Sequence, residues 1–268
     1  QKHPYHLVDP SPWPLITAAS LLILAYGFIT FMHQEKSLLF IIGSVALIAS
    51  SIFWWRDVVS ESEGGKFHNK VVQIGLRYGM ILFIASEVMF FSAWFWAFFD
   101  VAFYPGENSP ELVGRIDSLD GVFPPKNVEL IPPFGIPLLN TFILLASGGT
   151  VTWAHHALRE NDKKNFLIFL SLTILLGLIF TGFQAYEYQH ATFSIDQGIY
   201  PSTFYMATGF HGAHVIIGTI FLIVCFFRSL KGINPKKHLG FEFAAWYWHF
   251  VDVVWLFLFT FVYWWASI

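Results

Sequence analysis

Pairs of acids and histidines set within apolar sequence are the residues of this chain whose types and spacing could do chemistry. Glu87, in Ser86-Glu87-Val88-Met89-Phe90-Phe91, lies ten residues beyond Arg77, which at the rise of a helix is roughly 15 Å along its axis. A carboxyl group that deep in hydrocarbon must be protonated or paired, and it is a functional-site candidate for that reason. His211 and His214, one turn apart in Gly209-Phe210-His211-Gly212-Ala213-His214, lie at a comparable depth counted from the opposite end of another apolar run. They are the natural partners for Glu87, and the small residues Gly209, Gly212, Ala213 and Gly218 would permit the close helix approach that such pairing needs. His249 and Asp252 are also one turn apart and are expected to form a polar contact between helices, with a proton relay as the more ambitious reading. His155 and His156 could offer imidazoles to a haem or metal. Adjacent helical residues point about 100° apart and cannot chelate one ion together, so interfacial anchoring beside Trp153 is the stronger reading. CxxC, HExxH, P-loop and GxGxxG patterns do not occur in the sequence, so metal hydrolysis, nucleotide binding and dinucleotide redox chemistry lack their usual signals. Cys225, the one cysteine, lies in an apolar run and reads as a small hydrophobe.

These groups need elements that can hold them in lipid. The chain has 268 residues, 55% hydrophobic and 12% charged, against about a quarter charged in an ordinary soluble domain. Apolar runs of about 20 residues recur, the length that crosses a bilayer core of roughly 30 Å. Backbone amides in hydrocarbon must be satisfied within their own segment, so each run is read as a helix. Seven are expected, over 14–33, 38–55, 72–103, 136–158, 166–188, 203–228 and 243–265, within one membrane domain spanning 1–268. The third is too long for a perpendicular crossing and should tilt or extend beyond the bilayer. The connection 104–135, rich in Pro, Gly and acid, is expected outside the membrane as a surface loop or partner contact. The first residues carry prolines and no apolar core, so no cleavable signal peptide is expected, and a start at Gln1 suggests a trimmed N-terminus.

Charge placement orients the spans. With the N-terminus inside, Lys2, Arg56, Lys66, Lys70, Arg77, Arg159, Lys163, Lys164, Arg228, Lys231, Lys236 and Lys237 fall on the inner side, and Lys36, Arg115 and Lys126 outside, twelve against three of the 15 cations. Glu107, Glu111, Asp117, Asp120, Glu129, Glu187 and Asp196 make the outer face acidic, which could meet a basic soluble partner, and the C-terminus should emerge there. The net charge of −3 gives no signature for nucleic acid. Aromatic residues at helix ends, such as Trp54-Trp55 and Trp264-Trp265, read first as interfacial belts. A seven-helix retinal protein would need a Schiff-base lysine in the last helix, and the sequence has no Lys after Lys237. A secondary transporter would show an internal repeat, and none is seen.

The blocks Tyr5-His6-Leu7-Val8-Asp9-Pro10-Ser11-Pro12-Trp13-Pro14, Gly75-Leu76-Arg77-Tyr78-Gly79, Ser86 to Phe91, Thr152-Trp153-Ala154-His155-His156, Thr208 to Thr219 and Ala245 to Phe257 together resemble cytochrome c oxidase subunit III from the N-terminus to the last helix. The resemblance implies an all-α polytopic membrane fold of seven helices, divided by a lipid-filled cleft into two-helix and five-helix bundles and docked on subunit I. It implies a non-redox subunit of a proton-pumping oxidoreductase that passes electrons from cytochrome c to O2. Haem a, haem a3 and copper are then expected in the partner subunits I and II, and no catalytic residue, haem or metal in this chain. By the same resemblance Glu87 matches a carbodiimide-reactive carboxylate, and Trp55, Glu61, His68, Arg77 and Arg228 match positions that hold phospholipids. The subunit would steady subunit I, support proton uptake and protect the oxidase during turnover. From their inner-side position and the titration range of imidazole, rather than from the resemblance, His3 and His6 are expected near the proton entrance. Ser60 and the run Lys66-Phe67-His68-Asn69 depart from the usual headgroup contacts, so those are expected to be thinner. The N-terminal and Trp54-Trp55-Arg56-Asp57-Val58 blocks favour a mitochondrial inner membrane, with a bacterial plasma membrane as the alternative.

Overall fold

The computed structural model describes residues 5–64, 67–105, 121–126, 128–232 and 238–268. Half of the connection 104–135, together with His3 and several of the loop charges used for orientation, lies outside the described residues. Among the described residues, seven helices are long and apolar enough to cross a membrane. They are α1 (Trp13–Gln34), α2 (Leu38–Glu63), α3 (Lys70–Phe103), α4 (Ile136–Arg159), α5 (Lys163–Gln189), α6 (Ile199–Leu230) and α7 (Leu239–Phe257). The last widens into a π-helical stretch, Leu258–Trp264, before a closing 3-10 turn. Most helices outrun their apolar windows. α2 continues from Trp55 through the polar residues to Glu63, because hydropathy marks where lipid ends whereas backbone hydrogen bonding marks where the helix ends.

The chain forms two compact units, 1–79 and 80–268, so the boundary falls inside α3. In the first unit the residues that α1 and α2 bury against each other are small, while Trp13 stacks on Phe53 and Phe31 on Phe40 at the margins. Ser20, Gly27 and Thr30 are the buried residues of α1, and Gly43 and Ser50 those of α2. A Cβ added to Gly27 would stand 2.4 Å from the backbone nitrogen of Phe40, and one on Gly43 2.5 Å from that of Leu24. The two backbones touch, which is how helices associate where lipid removes the hydrophobic drive.

The second unit is built differently, around aromatic side chains. Trp248, Trp255, Phe98, Phe166, Phe180, Phe204 and Phe241 are among its largest fully buried residues. Trp248 slots between Gly177 of α5 and Gly218 of α6, where added Cβ atoms would meet its ring at 2.7 and 2.9 Å. Its indole N–H donates to Ser147 Oγ at 2.9 Å, and that of Trp255 donates to Thr141 Oγ1 at 2.9 Å, tying α7 to α4. α3 is held by rings, with Phe90 on Phe210 of α6 and Phe91 on Phe250 of α7. The α4–α5 turn is tight. Asn161 takes a left-handed φ of 61°, which Asn tolerates; Asp162 N–H returns to Ala157 O at 2.9 Å, and the Asp162 side chain caps α5 through Asn165 N–H at 3.1 Å.

Candidate proton-sharing and headgroup sites

Glu87 of α3 meets His214 of α6, with Oε2 2.8 Å from Nε2. The other ring nitrogen of His214, Nδ1, lies 2.7 Å from the Phe210 carbonyl oxygen. A carbonyl only accepts, so Nδ1 carries a hydrogen and Nε2 is the atom that shares a proton with Glu87. Either a neutral acid donates to a neutral imidazole, or an imidazolium donates to a carboxylate. Phe91, Tyr247 and Phe250 surround the ring at centroid distances of 5.0, 6.2 and 6.3 Å. The Glu87 side chain keeps 22% of its surface exposed, so the pair sits at the edge of the unit rather than in its core.

His211 does not join this pair. It is buried on the opposite flank, where Nε2–H donates to the Val251 carbonyl at 3.2 Å, and its Nδ1 has no hydrogen-bond partner. One helical turn on α6 is enough to send one imidazole to α3 and the other to α7. His249 and Asp252 approach at 3.6 Å, and His249 Nε2 also meets Thr152 Oγ1 at 3.1 Å. Room for the Asp252 carboxyl comes from Gly148, where a Cβ would lie 2.4 Å from Oδ2. His155 pairs with His238 at 3.2 Å while His156 is exposed, so the adjacent histidines diverge.

With the seven spans and the Glu87–His214 pair in place, comparison with known proteins is decisive. The family model for cytochrome c oxidase subunit III matches residues 3–267. A probable cytochrome c oxidase subunit 3 of Rickettsia bellii is 54% identical over 98% of this chain and 96% of the relative. The cytochrome c oxidase subunit 3 of Arabidopsis thaliana is 51% identical over 100% and 98%, and that of Dugong dugon 52% over 100% and 99%. The chain belongs to the cytochrome c oxidase subunit III family. It is a multi-pass membrane subunit of that oxidoreductase complex.

In this subunit III chain the first unit gathers a second polar group that spacing did not predict. His6, from the extended segment before α1, lies 3.8 Å from Glu61 near the end of α2, and its ring meets that of His68 edge-on at 5.2 Å. The ligand atoms of His6, Glu61 and His68 all fall within 4.8 Å of one another, close enough to embrace a divalent cation or a charged headgroup. Burial, and then the neighbouring His6, hold the His68 pKa below its ordinary value against the opposing pull of Glu61, so its ring favours the neutral form. Trp55 is exposed on α2, and Arg77 is half-buried on α3. Arg228, also half-buried, ends α6, with its Nη1 3.1 Å from where a Cβ of Gly240 would stand. Sequence spacing missed the His6–Glu61–His68 group because its members come from three segments. It also missed a buried cluster around Glu187, a residue counted simply as an outer acid.

Proposed function

We propose that this chain is the non-redox member of the oxidase, steadying subunit I, contacting subunit II, and holding structural phospholipids while haem a, haem a3 and copper reside in those partners. The observation that carries the reading is the Glu87–His214 bond. It is a proton-sharing pair at the edge of an aromatic bundle, and its imidazole is committed to a carbonyl and a carboxyl rather than to a metal. Such a pair suits a group that supports proton uptake or a subunit contact at its exposed flank.

Trp55, Glu61, His68 and Arg77 in the first unit supply the amphipathic ring, acid and cation that zwitterionic or anionic headgroups need, and Arg228 in the second supplies a further cation. In this reading the N-terminus and the cation-rich connections face the matrix or cytoplasm, and the C-terminus the acidic outer side. The membrane is then the mitochondrial inner membrane, or a bacterial plasma membrane. Purification in mild detergent tests the assignment. The chain should co-migrate with haem absorbance and with subunits I and II; migration free of haem would refute it. In Glu87→Gln, an isostere whose amide can still donate to His214 Nε2, the haem spectrum and subunit content should be retained. Loss of the assembled complex would show instead that Glu87 is an ion partner the fold requires.

A further inference from the structure

Away from Glu87, α5 and the π-helical end of α7 bury a carboxyl group whose two oxygens are treated unequally. The Tyr263 hydroxyl donates to Glu187 Oε1 at 2.6 Å, and Gln184 Nε2 donates to the same oxygen at 3.1 Å. Among the described residues, Glu187 Oε2 and Gln184 Oε1 have no hydrogen-bond partner. All three side chains are sealed, with Gln184 5%, Glu187 4% and Tyr263 2% exposed. On α4, which packs against α5 and the end of α7, Asn140 is fully buried with neither amide atom bonded, so this end of the bundle encloses more polar groups than its side chains satisfy.

An ionised carboxylate spreads its charge over both oxygens and would be expected to draw donors to each. Here both donors converge on one. That is the pattern of a carboxylic acid whose carbonyl oxygen accepts twice and whose other oxygen carries the proton. The hydroxyl then needs an acceptor and Gln184 Oε1 needs a donor, and neither atom has a hydrogen-bond partner among the described residues. A water molecule meets both, since it accepts from one and donates to the other. A monovalent cation fits less well, because two hydrogens already point at Oε1 and few free oxygens remain. We propose that Glu187 is a neutral carboxylic acid and that a site beside its Oε2 holds one enclosed water, which bridges to Gln184 Oε1. The π-helical turn that carries Tyr263 fits this assignment, since such turns commonly accompany functional polar groups in helices.

Two measurements on the assembled oxidase test the site. Infrared spectra at neutral pH, wild type against Glu187→Gln, should show loss of one protonated-carboxyl C=O band in the variant, a band that shifts only slowly when the wild type enters D2O. Loss of carboxylate bands instead would mean that Glu187 is ionised and would overturn the proposal. If that variant does not assemble, Tyr263→Phe keeps the acid and removes one donor to its carbonyl, so the same band should move to higher frequency; an unmoved band would count against the assignment. A cryo-electron map of the wild-type complex should show a single density within hydrogen-bond distance of both Glu187 Oε2 and Gln184 Oε1. An empty space, or an amide turned to bond Oε2 directly, would refute the water.

Discussion

A single methyl group distinguishes the contacts that hold this protein's buried acids from those that merely surround them. Gly148 faces the Asp252 carboxyl so closely that Gly148→Ala would place a carbon 2.4 Å from Oδ2, whereas an added Cβ at Gly149 meets nothing within 4 Å. Asp252 is buried and cannot swing into solvent, so α4 and α7 must part. The expected cost is about 1–3 kcal/mol, the range for overpacked interiors. It would be read as a lower thermal midpoint of the purified complex, with Gly149→Ala unchanged as the control. Equal behaviour of the two variants would contradict the packing described here. The Glu87–His214 pair gives a second test at this scale. His214→Phe keeps a ring but strips the part-buried carboxyl of its partner, at a cost of up to about 1–3 kcal/mol, the range for a polar group left unsatisfied. Glu87→Gln in the same background should recover part of that loss, because a neutral amide tolerates desertion better than an acid. That Glu87 would meet a histidine of this stretch was legible in the sequence, from depth alone, but the expected pairing with both His211 and His214 was not met. Which histidine bonds it was not legible, since one helical turn separates two imidazoles bound for different neighbours.

At the scale of elements, the helices associate in two ways and should fail in two ways. α1 and α2 meet backbone to backbone at Gly27 and Gly43, where no rotamer change can relieve an added carbon. Gly27→Ala should therefore separate the pair and lower yield of the intact subunit in detergent, while Gly79→Ala, with open space around it, should not. The second unit fails through its rings. Trp248→Phe removes the indole donor to Ser147 and leaves a void between Gly177 and Gly218, so its cost should exceed the roughly 1 kcal/mol of a hydrogen bond alone. The α4–α5 turn responds to pH. Asn165, through its backbone N–H and then its side-chain amide, holds the Asp162 carboxyl below the usual carboxylate range. A depressed carboxylate stabilises the fold above its unfolded pKa and loses that contribution as pH falls through the folded value. Asp162→Ala should lower thermal stability at neutral pH, and the two proteins should converge in acid. The number, order and rough extent of the helices could be read from hydropathy because lipid demands long apolar runs. Their true ends could not, since α2 and α6 continue through residues that hydropathy rejects.

Over the whole molecule, long apolar helices with aromatic residues at their ends connect the fold to its membrane. Identity was carried by motif blocks running the length of the chain, and the relatives sustain it over nearly all of that length. The convergence of His6, Glu61 and His68 needed the fold, because a coil segment, a helix end and a short connection supply one residue each. Phospholipid binding is the property most exposed to test. Each cation near an anionic headgroup region contributes about 1 kcal/mol, so Arg77→Gln with Arg228→Gln should weaken lipid retention by roughly 10- to 30-fold if both guanidinium groups engage headgroups. Native mass spectrometry of the oxidase should then show fewer bound phospholipids, and the double variant should lose activity sooner during sustained turnover while its initial rate stays near that of wild type. Lys36→Gln serves as a control, because Lys36 lies beyond the far end of α1, where its ammonium donates to Gln34 Oε1 at 3.1 Å. If the arginine variant keeps its full lipid complement, the headgroup assignment is wrong. If lipid falls while working life is unchanged, the lipids are bound but do not protect the enzyme.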